Sequence, residues 1–512
     1  MSRNRTQAAA KNLAVSIIMQ VLTFLLAWLS RVMITRTLSA SYLGIGSLYS
    51  DILSVLQLSE LGIGTAMLSA LYKPAADGDT AAVRRILQFY RVLYRFTALV
   101  ITAGGLLMMP FLPLLVKGLD AVDHPYIYYL MFLAETVLTY FCSWKNSLFY
   151  VYQEQYVLSF WNGVYQVIRY VLQVIVLLLT RNYLLFVLIQ TVFAFLPAYM
   201  ESRIAQRRRP ELIGTKDDRL SKTEKKQILS GVGAMSMHKV GGVLVNNTDS
   251  LIMSAFLGLT TVGIYTNYRI VINALTRFMK QCVDAFTGGV GNLSATEDGE
   301  HVYRVYREIY FLSVLGYGFC ACLSLVLFPD FITVGYGRDY LLGTGTVLLI
   351  VADFYTKGMR VPILTFRDAA GLFRYDRYKP VFEILINLVT SIWLVKPFGV
   401  AGIVMGTLIS YFSTSFWVDP LVFLKEGVKT DWKRKYRTYF LEYLENTAVL
   451  AAQAALAVYL TAKIPLTGFA GLIVKGAAGT VLYAGTAAAV YGRREEMKKL
   501  RERAKKLIRS KK

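Results

Sequence analysis

The chain has 512 residues, of which 55% are hydrophobic and only 17% charged, with a formal net charge of +23. Soluble globular proteins carry about 25% charged residues, so an ordinary water-soluble domain is excluded. In a soluble chain so large a positive charge would point to nucleic acid; here its placement gives it another meaning.

Apolar stretches near the ~20 residues needed to cross a bilayer recur from Asn12 to Gly492. Fourteen candidate spans cover 12–35, 42–70, 90–116, 126–150, 157–180, 182–202, 228–256, 262–291, 308–328, 340–362, 380–396, 399–424, 441–462 and 468–491. No connection is long enough for an independent soluble domain. The fold class expected is an all-α polytopic membrane protein of about 14 transmembrane helices, in two pseudo-symmetric six-helix lobes plus a C-terminal helix pair. Its parts would be an N-terminal lobe (1–202), a basic cytoplasmic linker (203–227), a C-terminal lobe (228–424), a second cytoplasmic linker (425–440), the extra helix pair (441–492) and a basic cytoplasmic tail (493–512).

Internal similarity supports the two lobes. Leu38–Ile45 (LSASYLGI) joins spans one and two, and Leu257–Ile264 (LGLTTVGI) joins spans seven and eight, 219 residues later. Six helices separate the copies, so the repeats would share topology about an axis along the membrane normal. Two such bundles facing each other make a central cavity.

Of the 56 Lys and Arg residues, 38 fall in one alternating set of loops and tails and 6 in the opposite set. The rich set includes Arg203–Lys226, Arg367–Lys379, Lys425–Arg437 and the C-terminal tail. This asymmetry is the positive-inside pattern and sets both termini in the cytoplasm; it removes any need for nucleic acid. The first apolar run is a full span with no cleavage site after it, so no secretory signal is expected. Cys142, Cys282, Cys320 and Cys322 lie in apolar segments and read as free thiols. No metal spacing, phosphate-binding loop or nucleophile elbow occurs, so the chain is expected to be neither an enzyme nor an ATP hydrolase and to hold no metal or cofactor.

Ionisable groups inside spans are costly and face a cavity or a partner. Span eight carries a stripe at helical spacing: Arg269, Asn273, Arg277, Lys280 and Asp284. Span five carries Asn162, Gln166, Arg169 and Gln173; span four carries Glu135, Thr139, Cys142 and Asn146. Span seven sets His238, Lys239, Gly242, Asn246 and Asp249 on one arc. Span ten offers Asp353, Lys357 and Arg360, and span eleven Glu383, Asn387 and Thr390. Asp353 and Lys357, four residues apart, read equally as a self-neutralising pair. Arg360 and Lys145 lie near cytoplasmic ends, where long side chains reach the interface. Asp51 and Glu60 on span two are about half a turn out of phase and cannot share one lumen. Arg169, Arg277 and Lys280, near mid-membrane, have no such outlet, and deep positive charge points to an anionic substrate, phosphate above all. The tail stripe of Met497, Leu500, Ala504, Leu507 and Ile508 suits the cytoplasmic lipid face or a purely topological role.

The segment Asn246–Tyr268 (NNTDSLIMSAFLGLTTVGIYTNY), GNLSA at Gly291–Ala295, Arg367–Val395 and GVAGIVMGTLIS at Gly399–Ser410 resemble the Wzx-like polysaccharide flippases of the multidrug/oligosaccharidyl-lipid/polysaccharide flippase superfamily. The first half matches in layout and in Arg31. The resemblance implies a multi-pass protein of the bacterial plasma membrane that carries a polyprenyl-pyrophosphate-linked glycan from the inner to the outer leaflet by alternating access. Arg31, Arg169, Lys239, Arg269, Arg277, Lys280 and Lys357 would line its cationic cavity. Asp249, Asp353 and Glu383 are the candidates for coupling to a proton or sodium gradient. Membrane lipids, and a glycan polymerase or glycosyltransferases, are the partners implied. A flippase for the peptidoglycan precursor shares the fold and substrate charge, and a drug/cation antiporter of the superfamily shares the layout.

The charge split predicts labelling. Single cysteines placed within 203–227 or in the tail should resist an impermeant thiol reagent applied to intact cells, whereas one at Gly337 should react. Labelling of the tail from outside would overturn the orientation.

Overall fold

The computed structural model describes residues 2–60, 62–213, 220–226, 228, 247–287, 298–372 and 375–499. Among them every regular element is a helix, and seven helices are long and apolar enough to cross a bilayer. Packing divides the chain into two units, Met1–Thr266 and Asn267–Lys512.

In the first unit α1 is Ser2–Thr37, α2 Ala40–Leu56, α3 Ile63–Ala76, α4 Thr80–Met108, α5 Pro125–Ser143, α6 Gln155–Thr180 and α7 Tyr183–Arg208. Local chemistry sets the starts. The Asp79 carboxylate accepts the Ala82 N–H at 2.8 Å to begin α4, and the Asn182 side chain accepts that of Leu185 at 3.2 Å to begin α7, satisfying donors that a helix leaves open. The single second span read from the sequence is two helices. Gln57–Glu60 tightens to a 3-10 turn, and Gly62, at φ +86°, takes a left-handed conformation that side-chain-bearing residues avoid.

The apolar distribution is that of a lipid-embedded body. Leu107, Leu114 and Leu179 are each 70% or more exposed, while tyrosines fill the interior: Tyr49 packs edge-on against Tyr129 at 5.1 Å, and Tyr183 stacks on Phe186. Only 11% of the apolar window of α6 is buried, so most of its greasy surface faces outward.

The two sequence repeats meet. Helix α8, Leu259–Thr287, begins inside the first unit, where the Thr260 hydroxyl lies 3.1 Å from that of Ser41. A Cβ on Gly44 would strike the Leu259 carbonyl, and one on Gly263 the Ala40 carbonyl. These contacts are reciprocal, so equivalent positions of the repeats pack backbone against backbone, as small residues allow between membrane helices.

In the second unit α9 is Gly299–Gly335, α10 Thr344–Ala369, α11 Lys379–Phe398, α12 Val400–Ser413, α13 Ser415–Val422, α14 Trp432–Ala462 and α15 Gly468–Tyr491. Helix α9 is the hub, with 61% of its apolar window buried. The C-terminal pair packs on it: Tyr310 meets Tyr439, Phe311 meets Tyr491, the Tyr483 hydroxyl donates to the Leu315 carbonyl at 2.9 Å, and Lys475 pairs with Asp330 at 2.7 Å. Gly399 alone turns α11 into α12, at φ +57°, ψ −131°. A Cβ on Gly406 would strike Ser391, and the Asn387 side chain donates to the Thr407 hydroxyl at 3.1 Å. The GVAGIVMG motif is therefore a helix–helix contact.

Gly44→Val should lower stability by about 1–3 kcal/mol through overpacking, read as thermal unfolding of purified protein. Gly485→Ala, where an added Cβ meets nothing within 4 Å, should not destabilise it.

Candidate functional site

The polar seam of the first unit is built from α1, α5, α6 and α7. Arg31 donates to the Ser47 hydroxyl at 3.2 Å. On α6, Asn162 and Gln166 line a groove of about 900 Å³ with Gln20 and Thr23 of α1. Arg169 lies 4.6 Å over the Tyr170 ring, its Nε buried without a hydrogen-bond partner. Gln173 instead turns into the bundle and donates to the Phe186 carbonyl at 3.3 Å. The stripe is thus divided between groove and interior.

Three acids of this unit are held by neutral donors. Glu135 accepts from Gln190 at 2.9 Å. Glu60, in the break between α2 and α3, accepts from Tyr94 at 2.5 Å and Tyr140 at 2.7 Å. Glu201, 2% exposed, accepts from Asn162 at 2.6 Å and Asn146 at 2.7 Å. Asp249 is buried. Asp51, also buried, lies on α2, before the 3-10 turn that carries Glu60, so ideal helical phase does not relate the two. His238, Lys239, Gly242, Asn246 and GNLSA lie outside the described residues.

At the start of α6 Glu154 takes hydrogen bonds from Arg209 at 2.6 Å and Arg208 at 2.9 Å. The Arg209 bond, followed by that from Arg208, holds its carboxyl below the usual carboxylate range. This lock between α6 and α7 is present above that range and lost as pH falls through it.

On α8 the predicted stripe forms one face. Asn273, Arg277 and Lys280 are exposed and Arg269 is half-buried, while Tyr268, Met279 and Val283 are buried on the other side. Among the described residues neither Arg277 nor Lys280 pairs with a carboxylate; the side chain of Asp284 is outside that set.

The second unit gathers its charges into an ion network. Asp419 on α13, 1% exposed, accepts from Arg360 at 2.6 Å, Arg367 at 3.1 Å and Lys379 at 2.5 Å. Arg367 also reaches Asp376 at 2.7 Å, Arg360 reaches Glu383 at 3.4 Å, and Ser415 donates to Glu383 at 2.8 Å. Three cations face three buried carboxylates, and Arg367 also meets the exposed Asp368 at 2.9 Å. Arg360 therefore points into the bundle rather than to the interface, and Arg367 and Lys379, counted by sequence among cytoplasmic loop charges, are buried. Sequence reading missed Asp419; its signal was a lone acid before Pro420 in an apolar run. Asp353 and Lys357 form their own pair at 2.8 Å, the self-neutralising arrangement their spacing allows. Among the described residues no group of three or more His, Cys, Asp or Glu side chains is arranged to hold a metal ion.

Residues 9–285 match the family model described as "Polysaccharide biosynthesis protein". Among solved structures, the lipid II flippase MurJ in an inward closed conformation aligns over 93% of this chain and 99% of its own, with a TM-score of 0.66 at 11% identity. An inward-facing multidrug resistance MATE family transporter of the MOP superfamily aligns over 81% and 99%, with a TM-score of 0.62 at 13% identity. The Vibrio cholerae MATE transporter VcmN in its bent form aligns over 83% and 98%, with a TM-score of 0.51 at 14% identity. A comparison with curated proteins finds no match. The resemblance to a polysaccharide family read from the sequence stands, and the fold is that of these membrane transporters.

Asp419→Asn would leave Arg360 and the buried Arg367 and Lys379 short of a countercharge and should cost about 3–5 kcal/mol, seen as loss of folded protein. Asp353→Asn, at a partly exposed pair, should cost under about 1 kcal/mol.

Proposed function

This chain belongs to the polysaccharide biosynthesis protein family, and from that premise we propose that it is a flippase carrying polyprenyl-pyrophosphate-linked oligosaccharide repeat units from the inner to the outer leaflet of the bacterial plasma membrane. It works by alternating access for cell-surface polysaccharide export and is a transport protein rather than an enzyme. The observation that carries this reading is the exposed α8 face bearing Arg277 and Lys280. A guanidinium on an apolar helix is costly in hydrocarbon and is retained where it meets water or an anion. A pyrophosphate fits, because Arg binds phosphate oxygens through a two-pronged fork. By their sequence positions Arg31, Arg169, Lys239 and Arg269 are further candidate cations for the substrate, while Lys357, neutralised by Asp353, contributes least.

A cationic drug would be repelled by this face, which disfavours the antiporter reading. The peptidoglycan precursor carries the same pyrophosphate, so the sugar must decide between the two. Energy would come from a proton or sodium gradient, with Asp249, Asp353 and Glu383 as candidate coupling groups; the last two already balance cations. Both termini would be cytoplasmic, membrane lipids would surround the glycan's tail, and a polymerase or glycosyltransferases would act beside it.

In liposomes containing purified protein and a fluorescent lipid-linked oligosaccharide, an imposed proton or sodium gradient should change the flipping rate. Arg277→Ala should remain inserted and abundant but slow flipping about tenfold or more, with Arg277→Lys in between. Normal flux in Arg277→Ala would overturn the assignment, loss of folded protein would give Arg277 a structural role, and faster flipping of lipid II would move the reading to peptidoglycan.

A further inference from the structure

Glu201 is the most deeply buried of the acids held by neutral donors. It sits on α7 at 2% exposure, with Oε1 accepting from Asn162 of α6 at 2.6 Å and Oε2 from Asn146, in the turn after α5, at 2.7 Å. Among the described residues no cation pairs with it. The ionisable groups on the elements around it are engaged elsewhere. Lys145 donates to Gln206 and, with Arg91 of α4, lies over the Trp144 ring. Arg203 donates to Tyr199, Arg208 and Arg209 hold Glu154, and Arg169 covers Tyr170. Glu135 is held by Gln190, Glu60 by Tyr94 and Tyr140, and Arg31 donates to Ser47. The Cys142 thiol is half-buried one turn before Asn146.

We propose that Glu201 is a proton-binding site, exchanging its proton with the groove between α1 and α6 and giving a proton gradient its hold on transport. A buried carboxylate without a cation is driven to take up a proton, whereas two amide N–H donors favour its charged form. The two tendencies oppose each other at one group. Asn146 adds a second feature: its Oδ1 is buried with no hydrogen-bond partner. Rotating that amide turns an acceptor toward Glu201, so the same cage serves the carboxylate through N–H donors and the carboxylic acid through Oδ1. Access comes through Asn162, which both touches Glu201 and lines the groove beside Gln166 and Gln155. The step is a simple transfer: hydronium in the groove gives its proton to a Glu201 oxygen and leaves as water, and the reverse releases it. Asp353, Glu383 and Asp419 differ in kind, since each balances a cation.

The transport role rests on the flippase reading, but proton binding itself is measurable without substrate. In purified full-length protein in lipid nanodiscs, infrared difference spectra should show a protonated-carboxyl band that changes with pH and is missing from Glu201→Gln. Asn146→Leu, which removes one donor to the charged form, should move the midpoint up by about one to two pH units. In liposomes, stimulation of flipping by a proton gradient should disappear in Glu201→Gln. No Glu201-dependent band that changes with pH, an unmoved midpoint in Asn146→Leu, or undiminished stimulation in Glu201→Gln would each overturn the proposal. A protein that titrates as described yet moves no lipid-linked oligosaccharide would support the site and refute the substrate reading instead.

Discussion

A charge inside an apolar helical bundle has three ways to persist: an opposite charge, a set of dipoles, or water. The outer surface here is hydrocarbon-seeking, with leucines such as Leu107 and Leu179 almost bare, so every ionisable side chain within the spans is forced into one of the three. Which one it takes governs how the helices must approach and what each charge can do.

The two units solve the problem differently. The second uses countercharge: Asp419 gathers Arg360, Arg367 and Lys379, Asp376 and Glu383 complete the balance, and Lys475 reaches Asp330 to hold the C-terminal pair on α9. Such pairs fix geometry, because removing one partner strands the other in a dry interior. The first unit uses dipoles: phenols on Glu60, an amide on Glu135 and two amides on Glu201. The exposed cations of α8 belong to the third case, open to water.

Close helix contact makes these arrangements possible. Where Gly44 and Gly263 cross, and where Gly406 meets Ser391, the backbones approach without intervening side chains, and neighbouring hydroxyl and amide groups come within hydrogen-bonding reach. A repeat match that looked weak as a string, with a Gly-centred turn in each copy, marks the place where the copies touch.

The sequence by itself determined the membrane class, the helical content and the alternating charge of the loops, because these depend on composition summed along the chain. It also marked the α8 stripe, a pattern confined to one unbroken helix, where periodicity alone decides which residues share a face. Only the tertiary structure decided the rest. The phase relation between Asp51 and Glu60 was lost at the break before Gly62. Arg367 and Lys379 turned inward to an acid some forty to fifty residues away. Glu201, which reads in sequence as the polar end of a span, became a buried acid held by amides from two other elements. Pairing between distant segments depends on which faces the packed helices turn to one another, and hydropathy along a single strand of text carries no record of that choice.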